Sequence, residues 1–204
     1  QYRSDQNCGD VPAPGCAGWA DYDGTLLGEE QEAWLTAGMA ASPALWKIIA
    51  QQVVFSFVNF GGVFVNFDQW DGYPQARQRL LDFIAAEGLE NVVVLSGDLH
   101  IGGLGDLTAI ARDEDSPVIA AAVVTTSISS VASADAVTAE PLVQNLKLIH
   151  YFNAGQRGYV THTLTREEYT VRCFMVDTVA EPSSAGAVAI TMTIDAGVPG
   201  FRKP

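Results

Sequence analysis

Long apolar runs punctuate the chain and predict strands that are buried on both faces. Residues 92–95 (VVVL) and 118–124 (VIAAAVV) contain only β-branched and small or medium apolar side chains. Such runs are typical of the inner strands of a layered sheet. Residues 48–57 form a third dense apolar run, rich in Val and Phe. All three segments are therefore predicted to be strands in the interior.

Amphipathic segments between these runs predict helices. Residues 75–87 place Leu80, Leu81 and Ile84 on one face and charged side chains on the others, and Gly88 supplies a helix stop. A further helix is predicted to begin near Glu29, with Trp34 among its core positions. A short second helix is expected from Ser42, because Ser is a good N-cap and Pro is tolerated at the first helical position.

The last third of the chain changes to an alternating pattern. Apolar and polar residues nearly alternate in residues 158–165, 169–176 and 188–194, with turn residues between them. This pattern predicts a set of antiparallel strands. The first 25 residues lack periodicity and are expected to lie extended over a surface. Together these signals predict an α/β or α+β fold with a layered sandwich of mixed and antiparallel strands.

Composition limits the classes of protein to which the chain can belong. Its 204 residues are 48% hydrophobic and 17% charged, which is typical of a globular domain large enough for a continuous core. Acidic residues number 24 and basic residues 11, for a formal charge of -13. The chain thus lacks the basic excess that nucleic acid binding requires, and no nucleic acid partner is expected. The apolar runs fall short of the roughly 20 residues of a transmembrane helix, so no membrane span is expected.

Two of the three cysteines lie close together in a loop-like stretch. Cys8 and Cys16 flank a Gly- and Pro-rich segment that can close into a small loop, whereas Cys173 is isolated. We predict a disulfide between Cys8 and Cys16, which would fit an exported protein. The alternative is a pair of free thiols.

The candidate chemistry lies in Gly97-Asp98-Leu99-His100, directly after the buried run at residues 92–95. The C-terminal ends of strands are where layered α/β folds bind ligands. Asp98 and His100 are two residues apart, so they share one face of an extended chain, and a tight turn can bring them onto one ion. A carboxylate and an imidazole suit a transition metal. The same spacing also fits an Asp that caps the turn beside a near-surface histidine.

Two neighbouring segments offer weaker chemistry. Ser127, Ser129 and Ser130 could include a nucleophile, but the G-x-S-x-G turn of serine hydrolases is missing, which favours hydroxyls that cap a strand or line a site. Residues 102–105 (GGLG) lack the Lys and Ser/Thr of a phosphate-binding P-loop. A flexible turn is the favoured interpretation of that segment.

Several segments together resemble the PhoD-like family of bacterial alkaline phosphatases and phosphodiesterases, which includes phospholipase D-type enzymes. The matching segments occur in the family's order along nearly the whole chain. They include QYRSDQNCG, LGEEQEAWL, FDQWDGYPQARQRLL, NVVVLSGDLH, TTSISS and YFNAGQRGYVTHTLTREEYTV. The resemblance implies a metallophosphoesterase fold, with two sheets face to face and helices outside. Residues 1–204 would be the C-terminal part of that domain.

The resemblance also implies roles for individual residues. Asp98 and His100 match the family's Gly-Asp-x-His motif and would bind metal. The D-x-W-D-G-Y motif would form a wall and outer support beside the site, and its members here are Asp68, Trp70, Asp71 and Tyr73. Arg157 is a candidate phosphate contact, with an ion pair to a carboxylate as the alternative. His150 lies near an Asn-Pro-His segment of relatives and is a second candidate contact.

The function implied by the resemblance is hydrolysis of phosphate mono- or diesters by a secreted, periplasmic or cell-surface bacterial enzyme with iron and calcium. The other metal ligands would come from an N-terminal half, or a second chain, that this sequence does not contain. The alternative is a non-catalytic interaction domain with an incomplete metal site. Gly102 favours this alternative, because relatives often have His or Asn shortly after the motif, and so does Ala122, where Glu-Phe is common.

Overall fold

The computed structural model describes residues 2–9, 16–55, 59–60, 63–64, 67–111, 113–132, 134–143 and 146–203. The helices are α1 (Glu29–Ala41), α2 (Pro74–Ala86) and α3 (Ala134–Val143), with 3₁₀ turns at Trp19–Asp21 and Trp70–Gly72. The strands are β1 (Lys47–Ala50), β2 (Asn59–Phe60), β3 (Val63–Phe64), β4 (Val92–Ser96), β5 (Gly102–Thr108), β6 (Val118–Val124), β7 (Ile149–Asn153), β8 (Arg157–Leu164), β9 (Glu168–Val176) and β10 (Gly186–Asp195).

Two larger sheets organise the described residues. The five-stranded sheet has the order β1-β4-β6-β5-β7, in which β1, β4 and β6 are parallel and β5 is antiparallel to both of its neighbours. The three-stranded sheet β10-β9-β8 is antiparallel. The mixed α/β class predicted from the sequence is therefore confirmed, and so is the antiparallel set near the C-terminus.

The core lies on both faces of the five-stranded sheet. Val92 and Val94 of β4 pack in the cluster that contains Leu80 and Ile84 of α2. Val93, which points the other way, packs in the cluster formed with the three-stranded sheet. Alternate side chains of a strand point to opposite faces, so a run such as VVVL is explained by a sheet covered on both sides. The result is a helix layer, a sheet and a second sheet.

Helices α1 and α2 form where the pattern predicts them. Pro74 occupies the first turn of α2, where its missing N–H costs little. The expectation that Trp34 is a core residue is wrong, since its side chain is 72% exposed. Met39 is the buried residue of α1. The second helix expected from Ser42 does not form. Instead, the Ser42 hydroxyl accepts a hydrogen bond from the N–H of Ala44 at 3.3 Å, and the chain continues into β1 at Lys47.

The glycine-rich segment after the motif is a buried strand, which corrects the predicted flexible turn. All seven residues of β5 are buried between β6 and β7. A Cβ atom on Gly105 would lie 2.8 Å from the carbonyl oxygen of Leu148, and one on Gly102 would lie 2.9 Å from Met175 Cε. The glycines therefore serve close packing in this sheet. Strand β7 and helix α3 were not predicted from the sequence.

Within the part of the chain that the structure describes, no helix is long and apolar enough to cross a membrane.

Candidate active site

The Gly97-Asp98-Leu99-His100 motif forms a tight turn at the C-terminal end of β4. The N–H of Leu99 donates to the carbonyl of Gly97 at 2.9 Å, and Asp98 between them has φ 73°. This is the rarer and more strained form of the γ-turn. His100 is also left-handed, with φ 58°. Two residues of the motif, separated by Leu99, thus have backbone conformations that cost free energy, and such strain clusters at functional sites.

The imidazole of His100 is fixed by the main chain of another segment. Its Nδ1 lies 2.9 Å from the carbonyl oxygen of Val131, 31 residues away in sequence. A carbonyl oxygen can only accept, so Nδ1 carries the proton. In the neutral ring, Nε2 then presents a lone pair. Histidines that bind metals are usually held in this way, with one nitrogen donating to a carbonyl and the other on the ion.

The carboxylate of Asp98 is held by the segment that precedes α2. Gln69 Nε2 donates to Asp98 Oδ2 at 3.0 Å, and Gln69 itself is 4% exposed. The Asp98 side chain is exposed. One carboxylate oxygen is therefore oriented by a buried amide while the group as a whole remains accessible to an ion.

Arg157, the first residue of β8, is buried and contacts the main chain of the Gly97-Asp98-Leu99-His100 turn. It is 4% exposed, and its Nη1 donates to the carbonyl oxygens of His100 at 2.7 Å and Ser130 at 2.8 Å. Its Nη2 donates to the carbonyl of Ala154 at 2.5 Å. Burial lowers the pKa of the Arg157 guanidinium from its usual value. The described hydrogen bonds of Arg157 are thus with three main-chain carbonyls and, at 3.4 Å, with the Ser127 hydroxyl. None of them is an ion pair with a carboxylate, and a phosphate contact stays a prediction.

Thr126, two residues after the end of β6, supports the same carbonyl. Its hydroxyl lies 3.2 Å from the carbonyl oxygens of both His100 and Gln156, and the residue is 6% exposed. The N–H of Thr125 donates to the carbonyl of Ser96 at 2.8 Å and keeps the ends of β4 and β6 together. Thr125 and Thr126, the first two residues of the segment TTSISS, therefore support the turn.

The four predicted wall residues flank Gln69 and make contacts with the N-terminal segment and the core. Asp68 pairs with Arg3, and Tyr73 donates to the carbonyl of Ser4 at 2.7 Å. Trp70 packs in the core at 3% exposure, and its indole N–H donates to Gln51 Oε1 at 2.9 Å. Asp71 forms a buried ion pair with Arg77 at 2.6 Å. These residues anchor the segment whose Gln69 reaches the site.

The N-terminal segment is closed by a disulfide between Cys8 and Cys16. Asn7 Nδ2 donates to the carbonyl of Ala17 at 3.1 Å across the same loop, and Gln6 donates to Asp68 Oδ1 at 3.1 Å. The predicted extended segment thus lies over the residues that carry the D-x-W-D-G-Y motif.

His150 lies away from the strand end that carries Asp98. It belongs to β7, whose Asn153 pairs with Gly102 at that end. His150 is therefore on the order of 10 Å further along the sheet. Its Nε2 lies 2.8 Å from Asp106 Oδ2, and the other oxygen of Asp106 accepts the N–H of Phe201 at 2.8 Å. The described role of His150 is to tie the C-terminal residues to β5.

A cleft of about 390 Å³ opens beside this network, lined by residues 131–132, 137, 154–157 and 176–179. Among the described residues, no group of three or more His, Cys, Asp and Glu side chains is arranged to bind a metal ion. The turn therefore offers two donors of suitable chemistry, Asp98 and His100, which is fewer than a metal cluster needs.

Comparison with known proteins identifies the family. The profile of the PhoD-like phosphatase family matches residues 1–173. The chain belongs to this family. Alkaline phosphatase D of Bacillus subtilis (strain 168) is 35% identical to this PhoD-like chain over 209 residues, which include all of the chain and 36% of the relative. A solved structure, described as the structure of PhoD, superposes with a TM-score of 0.83 at 31% identity and covers 99% of this chain.

The PhoD-like chain spans little more than a third of these relatives, since it accounts for 36% of the curated protein and 40% of the solved one. Membership supports a phosphoesterase function at the level of the family. It does not by itself assign an activity to these 204 residues.

In this PhoD-like chain, the contacts of Gln69 with Asp98 and of Arg157 with the His100 carbonyl were not predicted from the sequence. Gln69 stands at the variable position of the D-x-W-D-G-Y motif, and Arg157 was interpreted as a direct contact. The sequence signal for Arg157 is its place at the start of a strand with a buried face, since a buried arginine must find acceptors for its donors.

Proposed function

We propose that this chain is the C-terminal part of a metal-dependent phosphoric ester hydrolase, in which Asp98 and His100 provide ligands to the metal centre. The observation that carries the proposal is the hydrogen bond from His100 Nδ1 to the Val131 carbonyl, which leaves Nε2 available two residues along the chain from the exposed Asp98. Family membership supports the reaction class. The substrate class is phosphate mono- or diesters.

The donor set supports part of a metal site. An imidazole nitrogen and a carboxylate suit iron, and further carboxylate oxygens would suit calcium, the two ions that the family resemblance implies. Asp98 and His100 would hold one side of the centre, and the remaining ligands would come from the longer part of the protein that relatives possess. When bound, such ions lower the pKa of a coordinated water and offset charge on the phosphoryl oxygens.

The residues of this chain would prepare those ligands. Gln69 orients the Asp98 carboxylate, and the Val131 carbonyl selects the proton position on His100. In this scheme His100 is a ligand and not a general base. Ser127 donates to the carbonyl of Ser130, which favours a capping role for its hydroxyl. A secreted or cell-surface location is also proposed, and the disulfide supports it.

The test uses the full-length gene product that contains this sequence. Bound metals are measured by elemental analysis, and turnover is measured with 4-nitrophenyl phosphate and bis(4-nitrophenyl) phosphate. D98N and H100A should lose bound metal and more than about 100-fold in kcat/KM, because even the partners of metal ligands contribute about 10- to 100-fold. D115N and H162N are matched controls. Asp115 pairs with Lys147, and His162 contacts the Tyr169 hydroxyl, both away from the candidate site.

Retained metal and activity in D98N and H100A would contradict the proposal. A wild-type protein that binds no metal and hydrolyses neither ester would instead support the interaction-domain alternative. Loss of turnover in a combined S127A/S129A/S130A variant that keeps its metal would support a serine nucleophile.

A further inference from the structure

A single guanidinium joins the three segments that surround His100. Arg157 Nη1 has two N–H donors, and they meet the carbonyl oxygens of His100 at 2.7 Å and Ser130 at 2.8 Å. Nη2 donates to the carbonyl of Ala154 at 2.5 Å. These carbonyls belong to the turn after β4, the loop after β6 and the turn before β8. The planar fork of arginine fits this arrangement, whereas the compact ammonium of lysine cannot reproduce it.

The positions of the bound carbonyls give Arg157 a link to the imidazole. One of them belongs to His100 itself, and another belongs to Ser130, whose next residue is Val131, the acceptor of His100 Nδ1–H. The side chain of His100 therefore bridges the same two segments whose main chains Arg157 joins. If these segments separate, the distance from Nδ1 to the Val131 carbonyl lengthens and the ring loses the partner that sets its proton position.

The main chain at this point needs an external restraint. His100 has φ 58°, a conformation that a residue with a side chain leaves readily unless its surroundings hold it. The Thr126 hydroxyl, at 3.2 Å from the His100 carbonyl, is a weaker support than the charged donor of Arg157 at 2.7 Å. Arg157 is also 4% exposed, so its contacts form with little competition from water.

We infer that Arg157 is a positioning residue that fixes the orientation of His100 and the tautomer that leaves Nε2 available. Its effect on catalysis rests on the proposed function, but its effect on the ring does not. Arg157 acts through the carbonyls of His100 and Ser130 and does not touch the substrate.

The decisive experiment measures the tautomer directly. The full-length protein is labelled with ¹⁵N-histidine and stripped of metal, and the ring nitrogen shifts of His100, assigned by their loss in H100N, are recorded at a pH where the imidazole is neutral. Wild type and the control R172M should show one form, with the proton on Nδ1. R157M should show a mixture of both tautomers. Arg172 suits the control because it is an exposed arginine of the adjacent strand β9.

R157K guards against a folding failure of R157M. Because an ammonium cannot join the two segments, R157K should also show both tautomers. T126V removes the weaker support and should show a smaller fraction of the tautomer with the proton on Nε2. An unchanged Nδ1–H tautomer in folded R157M, or in R157K if R157M does not accumulate, would overturn the inference.

Kinetics separate a positioning role from direct substrate binding. In R157M the affinity for metal should fall about 10- to 100-fold, as for other partners of metal ligands, while KM for the ester at saturating metal changes little. A large rise in KM with an unchanged tautomer would mean that Arg157 binds phosphate, against the inference. If R157M shifts the tautomer but H100A keeps full activity, the inference about the ring stands and the proposed function fails.

Discussion

Asp71 and Arg77 form an ion pair in the interior, with 2.6 Å between Oδ1 and Nη1 and side-chain exposures of 8% and 2%. The pair joins the 3₁₀ turn at Trp70–Gly72 to the first turns of α2. The main-chain carbonyl of Asp71 also accepts the indole N–H of Trp19 at 2.5 Å. One acidic residue thus connects the N-terminal segment, the motif and the helix that covers the sheet.

We predict that D71N lowers the free energy of unfolding by about 3–5 kcal/mol, because it removes the carboxylate charge that pairs with the buried Arg77 guanidinium. The double variant D71N/R77M should be more stable than the sum of the single changes implies, since both charges are then absent. Urea denaturation of the four proteins measures the coupling. R202M removes a cation from the exposed pair with Asp195 and should leave the midpoint almost unchanged. Additive effects of D71N and R77M would contradict the prediction.

Replacing Gln69 with Leu should weaken metal binding by about 10- to 100-fold, because the amide that orients Asp98 Oδ2 is lost. Metal affinity can be measured by competition with a fluorescent chelator, in the full-length protein. Gln75 provides the control, since its amide donates at 2.7 Å to the carbonyl of Ala20 away from the site. Equal affinities in Q69L and Q75L would show that the amide does not orient a ligand.

Stability should depend on pH through His162. Burial lowers the pKa of this imidazole from 6.5, so the unfolded chain binds the proton more readily than the folded one. The contribution is fully present above about pH 7.5 and is lost as the pH falls through 6.5 towards the folded pKa. The unfolding free energy of wild type should therefore fall more steeply between pH 7 and pH 5 than that of H162N. Parallel pH profiles would be the contrary result.

Cys173 should be inert in the native protein. It is fully buried, and burial raises the pKa of its thiol to about 11, so almost no thiolate is present or accessible at pH 8. A disulfide-exchange reagent should detect no thiol in the folded chain and one per chain in guanidinium chloride, because Cys8 and Cys16 are joined. Rapid native reaction, or three thiols without reductant, would disprove this arrangement.

The layered fold was predictable because burial leaves a local trace in the sequence. The VVVL run of β4 and the alternating pattern of β9 each report which faces of a strand are covered, and the amphipathic face of α2 reports one covered side. The glycine-rich strand β5 has no such trace. Its four residues 102–105 resemble a turn in composition, and the close approach of Leu148 that requires Gly105 is visible in the folded chain alone.

The site was predictable in part for the same reason. Asp98 and His100 are recognised from adjacent letters at the end of a strand, but their partners come from distant segments. Gln69 lies 29 residues from Asp98, and Arg157 lies 57 residues from His100. Because such contacts depend on how the strands are ordered in the sheet, no spacing rule in the sequence reveals them. The exposure of Trp34 was missed likewise, since helical periodicity does not say what covers a face.

The left-handed backbone at positions 98 and 100 has a practical consequence for engineering. Glycine adopts that conformation without the cost of about 1–2 kcal/mol that other residues incur, and this gain offsets the hydrogen bonds to Gln69 and Val131 that D98G and H100G lose. Both variants are therefore expected to melt close to the parent protein. A thermostability screen that ignores turnover would therefore tolerate glycine at both positions and discard the proposed metal ligands. Any stabilised variant of this chain should be selected with an activity assay alongside.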